Sequence, residues 1–350
     1  MELSWVAISQ ALHEGVYFVV YQLGLAVAAP LVYNSELYWV FLCSGFAIAW
    51  LSWKLYLIQT HAPASDSQFI ASYFSKAIWW HPSARVDYLF YIVNGLLMAE
   101  LMGQFWITDR SVLAWLSPTS PPDVVVGDAI SFATRLLFTV LFFIVYDLGR
   151  FVAHSLLHDV TWLWEFHKVH HSAQVLTPIT ASRVHPVDLA VMAWVPALFT
   201  GVLTWSFNQW VASEVTVITF MGFHVLVWFF NLVDHLRHWH VWVSYGAQLN
   251  QWFISPAHHQ LHHSASPEHW GVNRGYELAI WDRLYGTFLS PQAQHHTAQG
   301  KVFEFGLGDG TDAQWQSVRA LFLKPLEGVM LKIEQRVWKT KSANDGVQRY

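Results

Sequence analysis

Asp147-Leu148-Gly149-Arg150-Phe151-Val152-Ala153-His154-Ser155-Leu156-Leu157-His158 closes an apolar run that opens near Ile130. The run from Ile130 to Val152 is close to the roughly 20 apolar residues a helix needs to cross the hydrocarbon core of a bilayer. His154 and His158, at its end, stand at i, i+4, so on a helix both imidazoles lie on one face. The stretch therefore predicts a transmembrane helix that delivers two imidazoles to the membrane border.

The rest of the chain agrees with a membrane setting. Of its 350 residues 54% are hydrophobic, 17% aromatic and only 12% charged, and the mean hydropathy is +0.30, far from a soluble-domain average. Further apolar runs cover Gly15 to Tyr33, Leu37 to Ile58, Tyr88 to Ile107, Leu189 to Val211 and Val215 to Val233. Asn94 and Glu100 interrupt the third run along the chain, and Arg135 sits early in the fourth, so four to six spans are expected. The N-terminus has Glu2 and Glu14 rather than a basic segment ahead of the first run, which predicts an anchor and not a cleaved signal. The 21 tryptophans suit belts at the two membrane surfaces. Cys43 is the single cysteine, which excludes a disulfide framework, thiolate-ligated zinc and an in-chain iron–sulfur centre.

Histidine is the second signal. Fourteen of the 20 histidines lie between residues 151 and 263, and eleven of them form four groups: His154 and His158; His167, His170 and His171; His238 and His240; His258, His259, His262 and His263. A lone HxxxH pair carries little weight. Two HxxHH triplets in one chain carry much more, because so many neighbouring imidazoles repel when protonated and lack hydrogen-bond partners when neutral, whereas a bound cation stabilises them. Imidazole suits zinc, copper, iron or nickel, and affinity order does not choose among them. Ligand number discriminates better. A catalytic zinc uses three protein ligands, whereas eight to ten histidines fit two ions with open positions.

Read in order, these segments resemble the fatty acid hydroxylase / sterol desaturase superfamily of membrane di-iron oxygenases. The resemblance covers about residues 143 to 290. Asp147 to His158 looks like the first box of that family, Trp164-Glu165-Phe166-His167-Lys168-Val169-His170-His171-Ser172 like the second, and Ser255-Pro256-Ala257-His258-His259-Gln260-Leu261-His262-His263-Ser264 like the third. Leu236-Arg237-His238-Trp239-His240-Val241-Trp242 resembles the segment that supplies an additional histidine, with His238 favoured by spacing and His240 two residues on. Asn273-Arg274-Gly275 and Trp281-Asp282-Arg283-Leu284-Tyr285-Gly286-Thr287 are similar to the closing signature. Ser155 stands where the family often has Arg, and Arg274 where it often has an aromatic residue; neither change removes a ligand.

The resemblance implies an all-α, polytopic transmembrane bundle whose cytoplasmic face carries a histidine-rich helical cap with a di-metal site. Its implied metal ligands are His154, His158, His167, His170, His171, His238, His240, His259, His262 and His263. The implied metals are two iron ions, with O2 as cosubstrate and no catalytic residue apart from the ligands. The implied reaction is hydroxylation of a lipid C–H bond, or removal of a second hydrogen to give a double bond, on a sterol or fatty acyl chain. Electrons are expected from an external donor such as a cytochrome b5-like protein, a ferredoxin or a reductase; no nucleic acid is expected as a partner. Two other classes compete. A zinc-dependent intramembrane hydrolase needs an HExxH box, and residues 154–158 lack its glutamate. A haem electron-transfer protein would place its histidines in mid-span rather than at span ends.

Three regions are expected: 1–142, an N-terminal transmembrane part; 143–290, the catalytic region; and 291–350, a polar tail. His258 falls outside the HxxHH register and His185 precedes Pro186, so both are expected to support neighbours rather than bind metal. His235 is expected to pack between helices with Asp234 as its partner. Thr177-Pro178 and His185-Pro186 predict a bend after the second box. Gly306, Gly308 and Gly310 form a short acidic loop rather than a nucleotide fingerprint, and Trp315 to Arg349 predicts an amphipathic helix fit for an anionic lipid surface or a redox partner. With six spans and the N-terminus inside, the connection around residues 108–129 carries only Arg110. Lys76, Arg85, Arg150, Lys168, Arg183, Arg237 and the basic C-terminal portion fall inside, which places the boxes and the C-terminus on the cytoplasmic side of a multi-pass protein.

Overall fold

The computed structural model of the protein describes residues 5–32, 35, 37–61, 65–101, 107–117, 130–291 and 304–347. It is mainly helical. The helices along the chain are α1 (Trp5–Ala28), α2 (Trp39–Thr60), α3 (Asp66–Tyr73), α4 (Lys76–Trp79), α5 (Pro82–Leu101), α6 (Asp109–Leu116), α7 (Phe132–Asp159) and α8 (Thr161–His171). They continue with α9 (Pro186–Val211), α10 (Val225–Asp234), α11 (Gly246–Leu249), α12 (Pro256–His262), α13 (Ile280–Tyr285) and α14 (Val318–Val347).

Among the described residues three helices are long and apolar enough to cross a membrane: Trp39–Gln59 within α2, α7 with 28 residues and α9 with 26. The first apolar run falls in the later part of α1 and the turn after it, where the apolar helical stretch, Val16–Leu31, is shorter than the three spans. The third falls in α5, where Asp87 pairs with Arg183 at 2.7 Å and Asn94 Nδ2 donates to Val184 O at 2.9 Å. Much of the connection around residues 108–129 lies outside the described residues.

The expected span from Val215 to Val233 does not form. Residues 219–224 make a two-stranded antiparallel hairpin, β1 (Thr219–Phe220) and β2 (Phe223–His224), and only α10, ten residues long, follows. Met221 and Gly222 have φ of 49° and 78°, the positive values that a two-residue hairpin turn requires and a helix forbids. The segment before the hairpin is pinned to its neighbours by side chains. Asn208 Oδ1 accepts from Val215 N at 3.0 Å, Thr139 Oγ1 accepts from Ile218 N at 2.9 Å, and Arg135 donates to Thr216 O and Val217 O at 3.4 Å. These bonds satisfy backbone groups that a helix would have paired internally.

α7 and α9 form the main helix pair, and their approach depends on Gly149. A Cβ there would stand 2.7 Å from Pro196 Cα of α9, so the missing side chain lets the two backbones meet. α9 starts cleanly because Pro186 occupies its first turn and the His185 ring accepts from Val187 N at 3.1 Å. Behind α8, Phe90, Val169, Leu307, Trp315 and Leu321 form one buried cluster, so the C-terminal segment packs onto the second box. Lys332 of α14 adds an ion pair to Glu165 at 2.9 Å.

Candidate metal centre

Four segments converge at the end of α7. His154 and His158 come from the last turns of α7, His167, His170 and His171 from α8, His238 from the turn after α10, and His259, His262 and His263 from α12 and its C-cap. The nine imidazoles sort into two groups. His154, His158, His167, His171 and His262 form one, and His170, His238, His259 and His263 the other, with ligand atoms in each group within 4.8 Å of one another.

The sorting follows from helix geometry. In each HxxHH box the i and i+4 residues lie about 40° apart around the helix and the i+3 residue about 100° from the i+4 residue. The i, i+4 pair His167 and His171 therefore serves the first group while His170 turns to the second. α12 does the converse, with His259 and His263 in the second group and His262 in the first. Each triplet bridges both groups, although the spacing alone predicts one shared face.

Hydrogen bonds fix the ring nitrogens. His154 Nδ1 donates to Arg274 O at 2.7 Å, His262 Nδ1 to Val272 O at 2.7 Å, and His167 Nδ1 contacts Asp188 Oδ2 at 2.6 Å. Carbonyl and carboxylate acceptors place the proton on Nδ1 and leave each Nε2 as a bare lone pair. Those Nε2 atoms face one another: His154 to His167 at 3.1 Å, to His262 at 3.1 Å and to His158 at 3.3 Å. In the second group His238 Nε2 lies 3.1 Å from His170 and 3.0 Å from His259, and His263 lies 3.1 Å from His259. Among His154, His167 and His262, whose Nδ1 protons are placed by these acceptors, the facing Nε2 lone pairs repel, and a cation among them turns the repulsion into ligation.

The donor set also bears on which ion. Ligands at about 2.1 Å from an ion lie about 3.0 Å apart when they subtend a right angle and about 3.4 Å apart in a tetrahedron. Spacings of 3.0–3.3 Å fall toward the right-angled arrangement, and five ligands in one group exceed tetrahedral zinc. The residues present fit metal binding, with five donors in one group and four in the other.

Burial disfavours the charged form of His170, His171, His238, His259, His262 and His263. Burial, then the neighbouring His167, pushes His170 down to about 3, and burial takes His262 down to about 3 as well. His171, His238, His259 and His263 are lowered in the same way, by burial first and by neighbouring imidazoles second.

Residues 273–287 brace the site. Asp282, fully buried, accepts from Arg274 N at 2.7 Å, Gly275 N at 2.8 Å and Thr287 Oγ1 at 2.6 Å. A Cβ on Gly275 would come within 2.6 Å of that carboxylate, which is why glycine stands there. Arg274, in place of an aromatic residue, pairs with Asp159 at 2.8 Å while its carbonyl holds His154. Asp147 accepts from Glu277 N, Leu278 N and Trp281 Nε1 at 2.9–3.1 Å, tying the span to the same segment. Beyond it, Glu277 pairs with Arg237 at 2.6 Å beside His238, and burial raises its carboxyl to about 7 against the pull of Arg237.

His240, expected among the ligands, stands apart from both groups. Its Nε2 donates to Ser72 O at 2.8 Å, anchoring the chain to α3; the backbone becomes extended at Trp239 and carries the next ring away. His258 caps α12, accepting from Ser255 N at 3.0 Å. His235 packs over Gly45 of α2, but Asp234 is not its partner: that carboxylate pairs with Arg237 at 3.0 Å. Asp188, the acceptor for His167, is not legible in the sequence, because one carboxylate near the start of α9 carries no spacing signal.

Comparison with known proteins agrees with this geometry. An ornithine lipid hydroxylase of Rhizobium tropici is 30% identical over 164 residues, 46% of this chain and 44% of that protein. An alkylglycerol monooxygenase of Xenopus tropicalis is 27% identical over 154 residues, 43% of this chain and 30% of that protein. Human (Homo sapiens) cholesterol 25-hydroxylase is also 27% identical over 154 residues, 43% of this chain and 52% of that protein. The match thus spans about half or less of each relative's length. No solved structure matches this chain. The fatty acid hydroxylase family model matches residues 139–287, the stretch that holds all nine converging histidines, so that region of the chain is similar to the fatty acid hydroxylase family.

Proposed function

We propose that this protein is a membrane-bound, O2-dependent hydroxylase of a lipid C–H bond, working with two iron ions and electrons from a separate donor. The observation that carries this reading is the convergence of nine imidazoles into two adjoining groups at the end of a span-length helix. The lipid-directed names of the relatives support the substrate class.

His154, His158, His167, His171 and His262 would hold one ion and His170, His238, His259 and His263 the other. Bound iron would supply two-electron activation of O2 and cleavage of an unactivated C–H bond. The chain's own part is positional. Arg274 O, Val272 O and Asp188 lock the tautomers so that lone pairs point inward. Burial keeps the rings from protonating, and the apolar surfaces of α7 and α9 deliver a lipid substrate to the membrane border.

The test combines metal analysis of detergent-purified protein with lipid mass spectrometry of cells grown under 18O2. The expected result is two non-haem irons per chain and a lipid heavier by one 18O atom. A species lighter by two hydrogens, without label, would make the reaction a desaturation. One zinc per chain with oxygen arriving only from water would overturn the proposal in favour of a hydrolase.

A further inference from the structure

α13 has an inverted amphipathic character. Its acidic residue, Asp282, is fully buried, and Trp281 turns its Nε1 inward to Asp147 at 2.9 Å, while Leu284 is 76% exposed and Ile280, Arg283 and Tyr285 are also exposed. Leu249 and Trp252, both exposed, continue this surface, since Ala279 N bonds to Trp252 O at 2.8 Å just ahead of α13. A helix facing water would show the opposite pattern.

The length of α7 explains what covers this surface. Its 28 residues rise about 42 Å, about 12 Å more than the hydrocarbon core. Whether the core is entered at Phe132 or just past Arg135, about 20 residues bring its far border between Phe151 and Ser155. α13 lies alongside this point. The Tyr285 ring is 5.7 Å from that of Phe151, its hydroxyl donates to Asp159 at 2.9 Å, and Trp281 reaches back to Asp147. The exposed apolar surface of α13 thus continues that of α7, on which Leu136, Leu137, Val140 and Leu156 are exposed.

We propose that α13 and the adjoining 249–252 turn are immersed in bilayer lipid at the headgroup–acyl border, forming a collar beside the histidine groups. Tyr285 and Trp252 supply the amphipathic rings favoured at that depth, and Arg283, exposed and bonded through Nη1 to Gln251 O at 3.4 Å, adds a cation beside them. The collar is linked to the first group through Asp282, which holds Arg274 N, and Arg274 O, which holds His154. A lipid chain beside α13 is therefore close to the site without crossing water.

The test is depth-resolved fluorescence on the full chain in phosphatidylcholine nanodiscs, with Leu284→Cys in a Cys43→Ser background carrying an environment-sensitive label. Ala313→Cys, at an exposed site on the turn Asp312–Trp315, is the aqueous reference. Position 284 should show blue-shifted emission quenched several-fold by nitroxide placed near the headgroup on phosphatidylcholine, and position 313 should show neither. Water-like emission at 284 would overturn the proposal. So would a blue shift that nitroxide lipid does not quench and that disappears when each disc holds one chain, since a second copy would then be the occupant. Equal quenching at both positions would overturn it too, because the label would be reporting only general proximity to the disc. None of these readings depends on enzymatic activity.

Discussion

At the residue scale, two histidines in similar sequence settings differ only in where the backbone sends them. His238 stands 3.1 Å from His170 and 3.0 Å from His259, whereas His240, two positions on, bonds to Ser72 O. Alanine at any of the nine converging histidines is expected to remove hydroxylase activity and bound metal while the protein still inserts in the membrane. His240→Ala should keep metal content and most turnover, losing at most the stability of one hydrogen bond, about 1 kcal/mol. Metal analysis beside product assay on the same preparations checks both. Two or more of the nine variants with full metal and near wild-type turnover would contradict the assignment.

At the element scale, the α7–α9 contact positions the first histidine pair. Gly149 lies five residues before His154, and a Cβ there meets Pro196 Cα at 2.7 Å. Backbone cannot yield as a flexible side chain can, so Gly149→Val should destabilise the pair by about 1–3 kcal/mol, read as a lower thermal midpoint in detergent. It should also weaken metal retention, because α7 would be displaced against α8. The boxes are legible in the sequence as elements, since i, i+3, i+4 spacing marks a helix. Their division between two groups is not, because that depends on the angle at which α8 and α12 meet.

For the whole molecule, the buried neutral imidazoles set a pH dependence. His170 and His262 fall to about 3 in the folded chain against about 6.5 when unfolded, so between those values the unfolded state binds more protons. Stability of the metal-free protein should be level above about pH 6.5 and fall as pH drops below it, by about 2 kcal/mol at pH 5 for each of the two groups. Thermal midpoints at pH 7.5 and pH 5 check the sign, and a rise on acidification would refute it. Charge segregation leads to a second expectation: a reporter after Tyr350 should score cytoplasmic and one near Pro121, outside the described residues, external. The opposite pattern would invert the protein in the membrane.

The sequence by itself determined the membrane setting, the family resemblance and all nine converging histidines, with His240 in addition, because hydropathy and helical spacing are local properties that survive in one dimension. Tertiary structure alone decided the rest. It sorted the histidines into two groups, excluded His240, recruited Asp188 and the carbonyls of Val272 and Arg274, and turned the apolar run Val215–Val233 into a hairpin and a short helix. The reason is the same in each case. An apolar run looks alike whether it faces lipid or packs on a neighbour, and the direction of a ring nitrogen depends on acceptors brought from up to 120 residues away.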